Sequence, residues 1–114
     1  MKNRSIKSLS RFDREFKRLA KKYKSLNNEL IEFSTSLKTN PVQGKSLGAG
    51  LYKIRLASRS KGTGKSGGFR VITYYIEQVG DDEVVYLVTI YDKSEEDSIS
   101  KDDLIDLVSD GLSE

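Results

Sequence analysis

The spacing of apolar residues changes from a helical to a strand pattern part-way along the chain, and this change limits the possible folds. Two apolar stripes recur at steps of three or four residues, at Phe12, Phe16, Leu19 and Tyr23 and then at Leu26, Leu30, Phe33 and Leu37. They predict one helix from about Ser10 to Tyr23 and a second that follows Ser25, a candidate N-cap, and stops at Asn40–Pro41. Two such helices in succession form a hairpin.

The strand pattern begins after three glycines at positions 44, 48 and 50, which we interpret as breaks in the chain. Residues Leu51–Ala57 alternate apolar and polar side chains, while Phe69–Glu77 and Val84–Tyr91 are rich in β-branched and aromatic residues. The turn-forming sequence Gly80–Asp81–Asp82 separates the last two runs. These two runs are therefore predicted to form a central hairpin.

Both ends of the chain add a short element. Ser5–Ser8, with Ile6 between polar residues, predicts a first strand, and Ser100 with Asp103 three residues later predicts the capped start of a last helix. Residues 1–114 are then interpreted as a single α+β domain with the order β-α-α-β-β-β-α. We expect a small antiparallel β-sheet with the helical hairpin packed on one face and the other face left for a ligand.

The composition excludes several kinds of chemistry. The chain has no His and no Cys, so an imidazole acid–base pair, a thiol nucleophile and a Cys/His zinc site are all impossible. The acidic residues after Tyr91 lack the spacing of a calcium loop, and we expect neither a metal nor a cofactor. No apolar run suits a membrane span or a signal peptide, which predicts a cytoplasmic protein with no membrane partner.

Charge is distributed unevenly along the chain. Residues 1–70 hold 18 of the 20 Lys and Arg residues and four acids, a net charge of +14. Residues 71–114 hold the other two bases and 13 acids, a net charge of −11, so the two parts sum to the overall +3. A segment this basic is typical of a surface that binds a polyanion.

Four cations are predicted to meet at one end of the sheet if the central strands pair in order. They are Lys53 and Arg55 on one strand face, Arg70 at the start of the next strand and Lys93 after the last, with Tyr91 on the same face as Lys93. A merely solvated sheet surface would not need that convergence, so we expect a site there. For Tyr91 a place in the core or at an edge is an equally good interpretation.

The loop between the first two central strands carries three more cations, Arg59, Lys61 and Lys65. Gly64-Lys65-Ser66 looks like the end of a P-loop. That motif needs a glycine at position 59, where this chain has Arg59, and a helix after the loop, where a strand is predicted, so we exclude nucleotide hydrolysis. Glycines allow a close approach to a nucleic-acid backbone, and the three cations would neutralise its phosphates. A flexible connection made soluble by lysines explains the loop equally well.

The sequence LYKIRLASRSKGTGKSGGFRVITYYI, followed by VYLVTIYDKSE, resembles the RelE/ParE superfamily of bacterial type II toxins, above all its HigB-like members. In that superfamily a Leu-x-Lys-x-Arg strand leads into a Gly/Lys loop, a Gly-Gly-x-Arg strand and a strand that ends in Tyr-x-Lys. The resemblance is specific over Leu51–Glu95, and the helix start FDREFK at Phe12–Lys17 is also similar. It implies a RelE-like fold across nearly the whole chain.

The resemblance also implies a function. A toxin of this kind cleaves messenger RNA on the ribosome, is inhibited by a cognate antitoxin, and is expected to bind operator DNA through that antitoxin. Carried over by position, the resemblance nominates Lys53, Arg55, Arg70 and Lys93. The best-known ribonuclease members have an Arg and later a Tyr near the C-terminus, where this chain has Lys93 and an acidic tail. The general acid therefore stays open between Tyr91 and Lys93.

These residues permit a metal-independent mechanism. A base takes the proton of an RNA 2′-hydroxyl, which attacks the adjacent phosphorus and leaves a cyclic phosphate and a free 5′-hydroxyl. Arg55 and Arg70 are predicted to bind the phosphate oxygens through two-point contacts. Lys53 is the candidate base, because neighbouring cations disfavour the charged form of an amine.

Two other functions stay open. One is a ParE-like gyrase poison of the same fold, which would not need four converging cations. The other is a non-catalytic RNA- or ribosome-binding module, which shares the charge pattern and differs only in lacking cleavage.

Overall fold

A computed structural model of the protein describes residues 3–61, 67–77, 82–95 and 99–113. Its elements, in chain order, are β1 (Asn3–Ser8), α1 (Ser10–Lys22), α2 (Leu26–Thr39), β2 (Lys45–Gly48), β3 (Leu51–Leu56), β4 (Phe69–Glu77), β5 (Asp82–Asp92) and α3 (Lys101–Leu112). Within these ranges the five strands form one sheet in the order β1-β5-β4-β3-β2. Strand β1 runs parallel to β5, and the other neighbours are antiparallel. The predicted α+β class is confirmed.

The helical hairpin covers one face of the sheet, as predicted. Helix α1 packs on β5 and helix α2 on β1. The helical stripes bury five large side chains there, those of Phe12, Leu19, Leu26, Phe33 and Leu37. Full burial of such a side chain contributes about 1.5–3 kcal/mol, so this layer is a main source of stability. In the described part of the chain no helix is both long and apolar enough to span a membrane.

The opposite face is partly covered by α3. Leu104 and Val108 of this helix are buried in a second core with Leu51 of β3 and Ile72 of β4. The predicted cap is confirmed, because the Ser100 side chain accepts a hydrogen bond from the backbone N–H of Asp103. Helix α3 therefore leaves less of this face open to a ligand than the sequence suggested.

The sheet has one strand more than the sequence predicted. Lys45–Gly48 forms β2, which pairs with β3 through a turn centred on Ala49 and Gly50. Both residues have positive φ, 55° and 81°, as the two central positions of a type I′ hairpin turn require. The glycines interpreted as a break in the chain thus belong to a hairpin, and the order is β-α-α-β-β-β-β-α.

Two local predictions have different outcomes. Ser25 occupies the N-cap position of α2 as predicted, but its backbone is helical and its side chain makes no cap hydrogen bond. Strands β4 and β5 pair from Phe69 opposite Asp92 to Glu77 opposite Glu83, which confirms the central hairpin. Gly80 and Asp81 of the predicted turn lie outside the described residues.

The β2–β3 turn leads to a stability prediction. A left-handed conformation costs a residue with a Cβ about 1–2 kcal/mol, and Asn tolerates it better than Ala. We expect Ala49→Asn to raise the free energy of unfolding by about 0.5–1 kcal/mol in urea denaturation. Gly50→Ala is the control and should lower it, since the new Cβ would lie 3.0 Å from Tyr74 Cε1. Unchanged stability of Ala49→Asn would contradict strain at this turn.

Candidate active site

A cavity of about 570 Å³ opens at the end of the sheet where β3 ends and β4 begins. The described residues that line it are Gln43, Gly44, Lys45, Lys53, Ile54, Arg55, Arg70 and Lys93, and we call it the basic cavity. Five of these residues are cations and none is an acid. The four cations predicted to converge are therefore all on its wall. Among the described residues, no cluster of three or more carboxylates could hold a metal ion.

The strand register explains why these cations meet. Arg55 of β3 lies opposite Arg70 of β4, and Arg70 lies opposite Tyr91 of β5. Side chains opposite each other in a sheet have Cβ atoms about 4.5–5.5 Å apart on the same face. Lys53 and Lys93 lie two residues from this row along the chain, so strand alternation turns them to the same face. Three neighbouring strands thus supply one row of functional groups.

Arg70 is the least exposed cation of the basic cavity. Its side chain is buried, and Nη1 donates to the carbonyl of Phe69 at 3.3 Å. Burying a charge is costly, and like charges opposite each other in a sheet are destabilising. Arg55, in contrast, is exposed, so solvent weakens its repulsion of Arg70. Two guanidinium groups at opposite positions of neighbouring strands can both contact phosphate oxygens, so the arrangement is typical of an anion-binding site.

One wall of the basic cavity, formed by β2 and the residues before it, was not predicted from the sequence. Lys45 lies opposite Lys53 and is exposed, which adds a fifth cation. Gly44 has a φ of 77°, and a Cβ on it would overlap the carbonyl oxygen of Lys53. Position 44 thus requires a glycine, because the backbone before β2 comes very close to the backbone of β3 there. The Gly48-Ala49-Gly50 sequence was the available signal for a hairpin here, but a four-residue strand is too short to show a clear alternation.

Tyr91 lies beside the basic cavity but does not line it. The residue is only 4% exposed and packs in the second core with Leu104 and Val108 of α3. Its ring supports the row that contains Arg70, its neighbour on β4. Lys93 is half-buried on the wall itself, so it is the better placed of the two candidates for the general acid.

Lys61 points away from the basic cavity. Its ammonium forms an ion pair with Asp92, and it lies 5.5 Å from the ring centre of Tyr23 and 5.2 Å from that of Phe69. Both rings belong to the core beneath the helical hairpin, on the other face of the sheet. The ammonium predicted to contact phosphate is thus bound within the protein. Lys65 lies outside the described residues.

Arg59 lies in a second hollow of about 410 Å³ that shares Gln43, Ile54 and Arg55 with the basic cavity. Its side chain is 74% exposed, and Nε is 3.8 Å from a carboxylate oxygen of Glu29. Glu29 is buried, but the Arg59 guanidinium is exposed and near the limit of ion-pair distance, so this contact holds the side chain only weakly. Arg59 can therefore still reach a chain of phosphates that leaves the basic cavity.

The buried Lys61–Asp92 pair should make stability depend on acid pH. Burial raises the pKa of Asp92, but hydrogen bonds from Lys61 and Ser94 outweigh burial and lower the pKa from 3.8 to about 2. A carboxyl whose pKa is lower in the folded state stabilises the protein above its unfolded pKa, and this contribution is lost as the pH falls through about 2.

Between pH 5 and pH 2 we expect the free energy of unfolding to fall by about 2 kcal/mol more in the wild type than in Asp92→Asn. Urea denaturation at a series of pH values measures this difference. Parallel curves for the two proteins would contradict the lowered pKa of Asp92.

The family described as the RelE toxin of the RelE/RelB toxin–antitoxin system matches residues 12–109 of this chain. The match includes all but the first two residues of the helical hairpin and the strands that form the basic cavity. It confirms the resemblance to the RelE/ParE superfamily predicted from Leu51–Glu95. Membership implies a cognate antitoxin as a partner. This protein is thus a member of the RelE toxin family of toxin–antitoxin systems.

Proposed function

We propose that the protein is a HigB-like endoribonuclease that cleaves messenger RNA on the ribosome and thereby inhibits translation. The observation that carries the proposal is the basic cavity, in which β2, β3, β4 and the residue after β5 bring five cations together with no acid among the described lining residues. A ribose-phosphate is an anion that such a cavity would bind. The cognate antitoxin controls this activity and carries the complex to operator DNA.

Four of the five basic side chains have a role in the proposed reaction. Arg55 and Arg70 bind the non-bridging oxygens of the scissile phosphate, because strands hold their planar guanidinium groups in fixed positions. Lys53, in its neutral amine form, accepts the proton of the 2′-hydroxyl and becomes an ammonium as that oxygen attacks phosphorus. The bond from phosphorus to the 5′ oxygen then breaks, and Lys93 donates a proton to the leaving oxygen. The products are a 2′,3′-cyclic phosphate and a 5′-hydroxyl.

The ribosome is needed because this set of groups is a weak catalyst by itself. The chain has no His, and Lys and Arg are poor acids and bases at neutral pH compared with imidazole. A fixed RNA conformation compensates, since correct orientation alone can contribute about 7–11 kcal/mol to lowering a barrier. The ribosome supplies such a conformation and places the protein's action in the cytoplasm. The net charge of +14 over residues 1–70 favours its approach to ribosomal RNA.

Substitution of Arg70 tests the proposal as a whole. We expect Arg70→Ala to abolish growth arrest and to lower translation-dependent cleavage of a reporter transcript, mapped by primer extension, by about 100-fold or more. Lys7→Ala is the control, because it removes one exposed positive charge from β1 at the far edge of the sheet. Circular dichroism and antitoxin binding confirm that each variant folds.

Full toxicity of a folded Arg70→Ala variant would contradict the proposed site. Intact transcripts during arrest by the wild type would contradict the nuclease function. A plasmid supercoiling assay would then separate a gyrase poison from a non-catalytic ribosome-binding module.

Substitution of Lys53 by Arg tests its role as the base. Arg keeps the positive charge but does not lose its proton in proteins, so it can bind phosphate but cannot accept a proton. We expect Lys53→Arg to lower the cleavage rate by about 100-fold or more, as Lys53→Ala does. Lys45→Arg, at the opposite position on β2, is the matched control and should stay within about threefold of the wild type. Retained cleavage by Lys53→Arg would assign Lys53 to phosphate binding.

A further inference from the structure

Where β5 ends and the following turn begins, successive side chains point to opposite faces of the sheet. Asp92 turns to the core beneath the helical hairpin, and Lys93 turns to the basic cavity. We infer that the Lys61–Asp92 pair is a positioning device that sets Lys93 in the basic cavity, so that Lys61 is needed for cleavage without touching RNA. This inference rests on the proposed nuclease function.

Asp92 is held from several directions. Its Oδ1 accepts hydrogen bonds from Lys61 Nζ, from the Ser94 backbone N at 2.9 Å and from Ser94 Oγ at 2.8 Å. Its Oδ2 accepts one from the Tyr23 hydroxyl at 3.2 Å. The carboxylate is almost fully buried, with 2% of its side chain exposed. Hydrogen bonds to a charged group are the strong kind, so they fix the residues on both sides of Lys93.

Lys61 is held as firmly as its partner. Its side chain is 9% exposed and lies over the rings of Tyr23 and Phe69, where a desolvated ammonium interacts favourably with aromatic faces. Taking two charges out of water can cost as much as their attraction returns, so such a pair contributes geometry more than stability. The pair thus fixes the position of Lys93, the residue that follows Asp92 in the chain.

The backbone of the turn is tied down in the same region. The Lys93 backbone N–H donates to the carbonyl of Gly68 at 3.2 Å, which extends the β4–β5 ladder past the end of β5. The Glu95 N–H donates to the Asp92 carbonyl at 3.0 Å, and the Glu95 carboxylate is 3.3 Å from Arg18 of α1. The Arg18–Glu95 pair is exposed and weak, so of these two ion pairs the buried Lys61–Asp92 pair is the stronger constraint on the turn.

Release of this constraint should affect the reaction more than the fold. A displacement of about 1 Å at a catalytic group can cost about 100-fold in rate, even when the change is remote from the chemistry. Lys61 then resembles an RNA-binding residue in a simple charge-removal experiment, because its loss lowers cleavage. Unlike a residue that contacts RNA, Lys61 affects cleavage only by fixing the position of Lys93.

A matched control exists at the other end of β5. Arg4 forms an ion pair with Glu83, whose side chain is also 2% exposed, and Arg4 further donates to the carbonyl of Lys38. This pair joins β5 to β1 far from the basic cavity. Arg4→Met and Lys61→Met therefore each remove the cation from a largely buried ion pair whose acid lies on β5. Of the two acids, only Asp92, the partner of Lys61, is next to Lys93.

The test is single-turnover cleavage of a messenger RNA bound to programmed ribosomes, at saturating toxin, with urea denaturation of each variant. We expect both variants to lose stability, Lys61→Met to cleave at least about tenfold more slowly, and Arg4→Met to stay within about twofold of the wild type. Lys61→Arg, which keeps the charge, should recover most of the rate. Equal rates for Lys61→Met and Arg4→Met would overturn the inference.

A double-mutant cycle separates positioning from direct RNA contact. In a Lys93→Ala background, Lys61→Met should cause no further loss of cleavage, because the group that it positions is absent. If Lys61 contacts RNA itself or acts only through global stability, the two losses multiply and the inference fails. If Lys61→Met does not fold, Tyr23→Phe replaces it, since it removes a single hydrogen bond to Asp92.

Amide hydrogen exchange followed by NMR gives a readout that needs no activity. We expect exchange at the Lys93 and Ser94 amides to speed up by about tenfold or more in Lys61→Met and to stay unchanged in Arg4→Met. Wild-type protein that does not cleave would refute the nuclease proposal, whereas unchanged exchange at Lys93 in Lys61→Met would refute the positioning role. The two failures are thus distinguishable.

Discussion

The antiparallel register of β3, β4 and β5 is the constraint on which the rest of the molecule depends. It places Arg55, Arg70 and Tyr91 in one row, although the two guanidinium groups repel each other. The row is held because Phe69 and Val71 of β4 are fully buried on the opposite face. A slip of one residue would turn those apolar side chains to the basic cavity and the arginines to the core. The hydrophobic face therefore enforces a charged face that is unfavourable by itself.

The two faces of the sheet treat charge differently. On the side of the helical hairpin the buried acids have basic partners, Asp92 with Lys61 and Glu83 with Arg4. On the side of α3, the described wall of the basic cavity has five cations and no acid. Buried charges on one face are thus paired within the protein, whereas the cations on the other face line a cavity that a ligand can enter. This difference, more than the net charge of +3, makes the protein a candidate for polyanion chemistry.

Much of this arrangement could be predicted from local patterns. The apolar stripes placed both hairpin helices, and strand alternation placed Lys53 and Arg55 on one face beside Arg70. Strand β2 was missed because its four residues lie among glycines. Its turn also has a positive φ at Ala49, and alanine is not a residue type that indicates such a conformation. The Lys61–Asp92 pair was also missed, since two residues 31 positions apart give no local signal that they will meet.

The sequence by itself determined which kinds of group could act, because it has no His or Cys, and which strand positions share a face, because alternation is a property of neighbouring residues. Tertiary structure alone decided which cation serves which purpose. Lys45 lies on the wall of the basic cavity because β2 pairs with β3. Lys61 lies outside the cavity, in an ion pair with Asp92, and α3 buries Tyr91. The physical reason is that partners are chosen by packing between elements distant in the chain, which no local period encodes.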